Sequence, residues 1–318
     1  ICIYIDVMRL FSCILFLLLF LSLYSQDLDS RYLLIKNNVK LNGVKLDKRD
    51  VNYLIKQKPN RKILGIARFR LFAYNYASKK KPTKFNKWII DVVGEPPVYL
   101  DTNLVNSTVE QLKYLLFNKG YFNGEVDKSI KYRKNKALVT YYLMGNTCYK
   151  IRNINFECSD SSIYSLCVRD SNNRIINKGD IYNSDVISEQ RQHLAKMIKD
   201  NGYFNFVEDY ISVIVDTNLN QHKTDITFVI AQPVNTYYND PKKHPLYFVK
   251  NINVYYDLST DTTYNNDTIT YNNIYYISKK HLYKPKILNQ FIFIKQNEIY
   301  RISEAEETYK KLSSLNNF

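Results

Sequence analysis

A repeated four-residue sequence, Gly-Tyr-Phe-Asn, constrains the fold of this chain more than any other feature. It occurs at Gly120–Asn123 and at Gly202–Asn205, each time after a stretch with helical periodicity, and a degraded third copy occupies 311–318. Glycine is typical of a helix C-terminus, because it adopts the left-handed conformation there without strain. The repeat predicts a chain of small modules rather than one large domain. Its structural residues are expected to be Gly120, Tyr121, Phe122, Gly202, Tyr203 and Phe204, with each aromatic pair packed back onto the preceding helix.

A second repeat marks the start of a module. Ile151–Phe156 matches Val249–Val254, and each segment is predicted to be an opening strand. Alternating segments that follow the first two Gly-Tyr-Phe copies predict β-hairpins. They run over Val126–Tyr132 with Ala137–Leu143, and over Ile211–Val215 with Ile226–Ile230. The predicted fold class is therefore α+β, in tandem modules of strand, helix, helix, strand, strand, each with a three-stranded sheet and two helices.

The same repeats set the expected boundaries. Module 1 is predicted to span 30–148 with a largely helical insertion at 59–100, module 2 to span 149–232, and module 3 to span 246–318. Module 3 is expected to stop before its closing hairpin, and its polar stretch 259–273 is predicted to be a loop. Two Ser-x-x-Glu patterns, Ser107–Glu110 and Ser303–Glu306, are predicted to cap the helices that precede the first and third copies.

The N-terminus has the three-part pattern of a secretory signal peptide over residues 1–25. Met8 and Arg9 precede an apolar run from Leu10 to Leu23, which is shorter than a membrane-spanning helix needs. Residues 1–7 precede the first Met and are interpreted as upstream sequence. Cys13 lies near the start of the apolar run rather than after it, a position that does not favour lipidation. The pattern predicts export from the cytoplasm.

The formal net charge of +15 favours anionic partners, namely nucleic acid, a phospholipid surface or an acidic polypeptide. Export argues against nucleic acid, so no nucleic-acid partner is expected. The insertion mixes basic and aromatic residues, which are also found in segments that contact membranes. A helix packed on its own domain is the preferred interpretation of this insertion, and a membrane contact is the alternative.

The sequence offers no catalytic or cofactor-binding pattern. His193, His222, His244 and His281 lie in different segments without metal-ligand spacing, and no phosphate-binding or nucleophile motif is present. We therefore expect no enzyme activity, no cofactor and no metal. Of the three cysteines beyond the signal peptide, Cys158 and Cys167 allow one disulfide across a short loop, and three free thiols are the alternative.

The tandem modules, with Gly-Tyr-Phe between the second helix and the second strand, resemble POTRA domains. In module 1, Gln57–Gly65 and Gly94–Val98 are also similar to the N-terminal region of BamA/TamA-type proteins of the Bacteroidetes kind. The resemblance covers 30–318. It implies the periplasmic region of an outer-membrane protein assembly factor, with unfolded outer-membrane proteins as clients and machinery subunits as partners. It also implies a C-terminal membrane barrel, which this sequence lacks, so Phe318 is interpreted as a truncation point. The alternative is the periplasmic arm of a two-partner secretion transporter or another exported binding module.

The expected mechanism is strand augmentation, in which an extended client pairs with an exposed sheet edge. The resemblance implies that the second strand supplies this edge, here Val126–Tyr132 and Val207–Val215. The candidate edge residues are Val126, Lys128, Ile130, Tyr132, Val207, Ile211, Val213 and Val215. The basic residues Lys128, Lys131, Arg133 and Lys134 either attract anionic clients or lipid head groups, or protect the edge from aggregation. The sequence leaves both interpretations open.

Overall fold

A computed structural model describes residues 31–219, 221–233, 243–256, 267–279 and 283–315. The predicted signal peptide, Cys13, His281 and the end of the third repeat copy lie outside the described residues. The strands are β1 (Leu33–Asn42), β2 (Glu125–Arg133), β3 (Lys136–Met144), β4 (Lys150–Cys158), β5 (Ile211–Leu219), β6 (Lys223–Ile230), β7 (Ile252–Tyr255), β8 (Asp267–Tyr271) and β9 (Ile274–Ser278). The helices are α1 (Lys48–Leu54), α2 (Phe69–Ser78), α3 (Lys84–Trp88), α4 (Thr102–Asn118), α5 (Ser161–Arg169), α6 (Ser184–Asp200), α7 (Pro285–Leu288) and α8 (Ile302–Ser313).

Each module contains one sheet of three strands in the same spatial order. The opening strand pairs in parallel with the last strand, which lies in the centre, and the middle strand in sequence pairs antiparallel on the other side. The central strand β3 is buried at Ala137, Val139, Tyr141 and Leu143 because it has a neighbour on both sides. The α+β fold class predicted from the repeats is confirmed.

The described chain forms two compact bodies. The first consists of 31–117 and 123–146, and the second of 118–122 and 147–315. Modules 2 and 3 thus belong to one body, which also includes the first Gly-Tyr-Phe segment. The core of module 2 is built from β4, β6 and the inner faces of α5 and α6, with Ile163, Leu194, Ile198, Ile226 and Phe228 fully buried.

Module 3 differs from the predicted order of elements. Its hairpin, β8 and β9, comes before the two helices, and β9 pairs in parallel with β7 as β3 does with β1. The prediction that this module lacks a hairpin is therefore wrong, and so is the loop predicted at 259–273 over its described part, 267–273. The turn residues Asn272 and Asn273 both have positive φ, at 50° and 61°, which suits a two-residue hairpin turn.

Both predicted capping boxes are also wrong. Helix α4 begins at Thr102, where Asp101 Oδ1 accepts the backbone N–H of Asn103 at 2.8 Å, so Ser107 lies inside the helix. Helix α8 begins at Ile302 without a side-chain cap from its own flanking residue. Instead, Asp200 Oδ1 at the end of α6 accepts the N–H of Ser303 at 2.7 Å.

The insertion in module 1 is helical over α2, α3 and a π-helical turn at Ile89–Val93. Helix α2 buries Leu71 and Ala77, so one of its faces packs within the first body as the preferred interpretation requires. Its opposite face remains exposed. The last residues of the insertion pair with the start of β1 through an antiparallel bridge between Tyr99 and Leu33.

Candidate functional site

The outer edge of each opening strand is covered at its start. In modules 1 and 2, the segment that precedes α4 or α6 forms an antiparallel bridge with the first residue of the opening strand. In module 3 the equivalent bridge joins Ile299 to Phe248, four residues before β7. The covering segments are 98–100, 180–182 and 298–300. The equivalent bonds run from the N–H groups of Leu34, Ile151 and Val249 to the carbonyl oxygens of Val98, Asp180 and Glu298, at 2.8, 2.8 and 2.9 Å. The second strand lies at the opposite edge of each sheet, where no further strand of the described residues is bonded to it.

Strand β2 is the open edge of the first sheet. Its turn residues Lys134 and Asn135 have φ of 44° and 55°, which is typical of a two-residue hairpin turn in which the flanking pair, Arg133 and Lys136, is hydrogen-bonded. Hydrogen-bonded and non-hydrogen-bonded pairs alternate along an antiparallel ladder. The residues whose backbone N–H and C=O groups point away from β3 are therefore Val126, Lys128, Ile130 and Tyr132.

Strand β5 is the open edge of the second sheet. The N–H of Ala231 donates to the carbonyl of Tyr210 at 2.8 Å, which fixes Tyr210 and Ala231 as a hydrogen-bonded pair. The same alternation then points the backbone groups of Ile211, Val213 and Val215 away from β6. Val207 is not part of this edge, because the 3₁₀ turn Glu208–Tyr210 separates it from the strand. The predicted edge Val207–Val215 is therefore corrected to one that begins at Ile211.

The side chains on the two edges differ in character. On β2 the basic residues Lys131 and Arg133 are exposed, whereas Val126 is buried against the core. On β5, Ile211 is buried and Ile214 on the opposite face is 56% exposed. A strand added to β2 would therefore meet positive charge, and one added to β5 would meet apolar surface.

The first Gly-Tyr-Phe segment lies in the second body. The Gly120 carbonyl accepts the N–H of Tyr149 at 2.9 Å, and Gly120 has a φ of 82°. The Phe122 ring packs against Tyr149 and Tyr182, with centroids 4.9 and 4.8 Å apart. Burial raises the pKa of the Tyr182 hydroxyl. Lys119 Nζ adds an ion pair of 2.7 Å to Asp185 Oδ2.

The second copy makes the equivalent contacts with module 3. The Gly202 carbonyl accepts the N–H of Tyr247 at 2.9 Å, and Phe204 packs against Tyr247 and Tyr300 at 5.6 and 4.9 Å. Tyr203 is 4% exposed and belongs to the core of its own module. The prediction that both aromatics pack back onto the preceding helix therefore fits Tyr203, which shares a core with α6, whereas Phe204 packs against module 3. We call these two clusters the Gly-Tyr-Phe joints.

The tyrosines that receive each Phe were not identified from the sequence. Their positions nevertheless recur in the sequence. One tyrosine lies two residues before the residue whose N–H bonds to the covering segment, at Tyr32, Tyr149 and Tyr247. Another recurs just before each second long helix, at Tyr99, Tyr182 and Tyr300. This recurrence of two tyrosines in each module is the sequence signal that could have identified the Gly-Tyr-Phe joints.

The described histidines make separate contacts. His193 Nε2 lies 2.8 Å from Asp170 Oδ2, His244 Nε2 lies 3.0 Å from the Ala231 carbonyl, and the His222 ring meets Tyr149. Within the described ranges no cluster of three or more His, Cys, Asp or Glu could hold a metal. None of the described helices is long and apolar enough to span a membrane.

The three described cysteines, Cys148, Cys158 and Cys167, are free thiols, so the predicted Cys158–Cys167 disulfide alternative is wrong. Cys167 is buried in the module 2 core, and Cys158 packs against that core from the end of β4. Burial raises the pKa of both thiols, that of Cys167 to about 12.

Comparison with known proteins finds a family match for one of the three modules. Residues 149–232 match the POTRA family, described as a surface antigen variable number repeat. No curated protein matches the chain significantly. Among solved structures, POTRA3-5 of Haemophilus influenzae BamA is 12% identical with a TM-score of 0.39, covering 89% of this chain and 85% of that one. POTRA1-2 of Anabaena Omp85 is 15% identical with a TM-score of 0.33, covering 64% and 98%. CdiB from Escherichia coli is 8% identical with a TM-score of 0.28, covering 66% and 28%.

The family match coincides with the module whose strand, helix, helix, strand, strand order is complete. The other two sheets repeat its strand order, with module 3 placing its hairpin before its helices. Residues 149–232 therefore form a domain that matches the POTRA family, and two further three-stranded α+β modules flank it.

Proposed function

We propose that this chain is the periplasmic client- and partner-binding region of an outer-membrane protein insertion or secretion factor. Its clients are unfolded outer-membrane proteins, and its partners include other subunits of the same machinery. It acts by strand augmentation at the outer edges of β2 and β5. The POTRA domain at 149–232 and the export signal predicted from the sequence support this location.

One observation carries the proposal. In each of the first two sheets the opening strand is covered at its start, while alternate backbone N–H and C=O groups of the second strand point away from the sheet. The outward N–H of Lys128 donates to Asp127 Oδ1 at 2.7 Å and that of Ile211 to the Glu208 carbonyl, so a client strand would replace these two bonds. Backbone groups that lack a partner along a strand edge favour pairing with an extended chain. Because backbone groups do this pairing, it depends little on the client sequence, which suits a factor that handles many clients.

The two edges would recognise different client features. Exposed Lys131 and Arg133 give β2 a positive surface, which favours acidic or anionic clients. The exposed Ile214 on β5 favours an apolar side chain opposite it. A client with alternating polar and apolar residues satisfies either edge in the appropriate register. No step in this mechanism requires catalysis or a cofactor.

Proline substitution tests the role of the backbone. Lys128→Pro and Val213→Pro each remove one outward N–H without breaking a bond to the neighbouring strand, and edge positions of this kind tolerate proline. The matched controls Lys128→Ala and Val213→Ala keep the N–H while removing the side chain. The probe is an unfolded porin diluted from urea, with binding followed by fluorescence anisotropy and folding checked by circular dichroism.

The proposal predicts that each proline variant weakens binding and that its alanine control binds almost as well as the parent protein. If Lys128→Ala weakens binding as much as Lys128→Pro does, side-chain charge rather than the strand edge is responsible. Equal binding by both proline variants and the parent protein would refute augmentation at these edges.

A further inference from the structure

A block of positive charge covers the end of α1 and most of the insertion in module 1. Residues 51–90 include eleven Lys or Arg and no Asp or Glu, within a chain whose net charge is +15. So large a block of one sign creates a local field that attracts anions. The strand-augmentation proposal does not use this block, which lies in a different part of module 1 from β2.

A tight turn at the start of the insertion holds aliphatic side chains in solvent. The N–H of Ile63 donates to the Ala67 carbonyl at 3.0 Å, which closes the turn. At its tip Leu64 is 90% exposed and Ile66 is 78% exposed. Leu64 also has a φ of 50°, a left-handed conformation that is unusual for leucine. These two aliphatic side chains contribute little to the core and begin an exposed apolar patch, a feature that marks interaction sites.

Exposed aromatic side chains extend this apolar surface along α2 and α3. Phe69, Phe72 and Tyr76 follow one another on the exposed face of α2, at 57%, 72% and 51% exposure. On α3, Phe85 and Trp88 stack on each other with centroids 6.1 Å apart and are both more than half exposed. The opposite face of α2 buries Leu71 and Ala77, so the helix has two apolar faces and only one is covered.

A basic cleft lies beside the turn. It has a volume of about 740 Å³ and lies between β1, α1 and residues 58–62. Its cations are Lys36, Arg49, Lys58, Arg61, Lys62 and Arg68, and no described carboxylate lines it. Arg49 is paired with Asp47 at 2.7 Å, and Arg68 donates to the Ile35 carbonyl. Lys36, Arg61 and Lys62 form no ion pair within the described chain.

We propose that residues 58–88 form a docking surface for an anionic phospholipid bilayer. Leu64, Ile66 and the exposed aromatic side chains enter the interfacial region, and the basic cleft receives the phosphate of a lipid head group. Aromatic and aliphatic side chains flanked by lysine and arginine are typical of segments that lie in the membrane interface. An acidic peptide could occupy the cleft, but it would leave the aliphatic turn and the aromatic face without a partner.

Trp88 provides a direct probe, because it is the sole tryptophan of the chain and lies in the proposed surface. The full chain is titrated with vesicles of phosphatidylglycerol and phosphatidylethanolamine, and separately with phosphatidylcholine vesicles. We expect a blue shift of the Trp88 emission with the anionic vesicles only, and quenching by brominated lipid. This readout reports the insertion itself, so binding through the apolar N-terminus does not imitate it.

Two variants test separately the apolar and the basic contributions to vesicle binding. Leu64→Ser with Ile66→Ser should weaken the response to anionic vesicles about tenfold, because both side chains leave the interface. Arg61→Gln with Lys62→Gln, which removes two exposed cations of the cleft, should weaken it about fivefold per charge removed. The matched control changes Tyr309→Ser and Lys310→Glu, which are exposed on α8, and should leave the response unchanged.

The Trp88 measurement has outcomes that support the proposal and outcomes that contradict it. A blue shift restricted to anionic vesicles and reduced in both test variants supports the proposal. An unchanged Trp88 spectrum, an equal response to phosphatidylcholine, or a shift produced by polyglutamate but not by vesicles would overturn it. The edge variant Lys128→Pro should keep the full Trp88 response, so the two proposals fail independently.

Discussion

The carbonyl oxygen of Gly202 accepts the backbone N–H of Tyr247 at 2.9 Å, which ties the end of the POTRA domain to the first residues of module 3. Gly120 and Tyr149 form the same bond at the same distance at the start of the POTRA domain. The repeated sequence thus serves twice as a joint. Its tyrosine belongs to the preceding core in the second copy, and its phenylalanine packs against the following module in both.

Replacing either joint glycine should destabilise the fold. Gly202 has a φ of 95°, and a Cβ there would lie 2.6 Å from Ile299 Cγ2. Gly202→Ala should therefore lower the free energy of unfolding by about 1–3 kcal/mol. Gly120→Ala should cost at least as much, since its Cβ would lie 2.9 Å from the rigid Tyr182 carbonyl oxygen. Urea unfolding measures both changes.

Gly179 offers a matched control for these variants. It has a φ of 92°, but nothing lies within 4 Å of the position that an alanine Cβ would take there. Gly179→Ala should therefore report backbone strain alone. Equal losses for all three variants would show that close packing at the joints contributes nothing.

Removing the Asp200 carboxylate should weaken the start of α8. Its Oδ1 supplies the side-chain acceptor for the Ser303 N–H, a role that typically contributes about 1 kcal/mol at a helix N-terminus. We expect Asp200→Ala to lower the free energy of unfolding by that amount and to increase hydrogen exchange in the first turn of α8. Unchanged exchange there would contradict the assigned role.

The acid stability of module 2 should depend on Asp225. Arg152 donates to both carboxylate oxygens, at 3.0 and 2.7 Å, and these hydrogen bonds hold the Asp225 pKa below its ordinary value. A lowered pKa stabilises the fold above the unfolded-state pKa of about 4, and this stabilisation is lost as the pH falls through the folded-state value.

Asp225→Asn removes that titration. The urea midpoint of the variant should fall less than that of the parent protein between about pH 4 and pH 2. Parallel pH profiles would show that the Arg152–Asp225 pair does not contribute to acid stability.

Cys167 should resist alkylation in the folded protein. Its pKa of about 12 and its full burial suppress the thiolate that reacts with iodoacetamide. At pH 8 we expect the Cys167 peptide to remain unmodified in native protein and to react fully in urea, as measured by mass spectrometry. Rapid native labelling would show that the module 2 core opens readily.

The features that could be predicted from the sequence are mostly local. The turn at Lys134–Asn135, the strand alternation of β5 and the helix-ending Gly202 all depend on neighbouring residues, and each lies where the pattern predicts it. The cap of α8 could not be predicted, because its acceptor, Asp200, is 103 residues away in sequence. A Ser-x-x-Glu pattern at Ser303 is a weaker local signal than that tertiary contact.

The candidate strand edges likewise could be predicted where the sequence signal is local, and not where it depends on contacts distant in sequence. The alternating residues predicted for β2 and β5 lie in those strands, but Val207 was assigned to a strand because no local signal indicates the turn at Glu208–Tyr210. The covering of the opening strands requires pairing between segments about 30 to 60 residues apart, such as Ile151 with Asp180 and Leu34 with Val98. In module 3 the Asn272–Asn273 turn was a usable signal, yet the polar residues around it favoured a loop.

The most direct test of the central claim is residue-resolved hydrogen exchange of β5 with and without the unfolded porin. Strand augmentation predicts that the amides of Val213 and Val215, which point outward, exchange rapidly in the free protein and become protected on binding. The Ile211 amide already donates to the Glu208 carbonyl and is left out of the comparison. The amides of Ser212 and Ile214 already bond to β6 and should change little. Protection that is equal at both sets, or absent from the outward set, would contradict pairing at this edge.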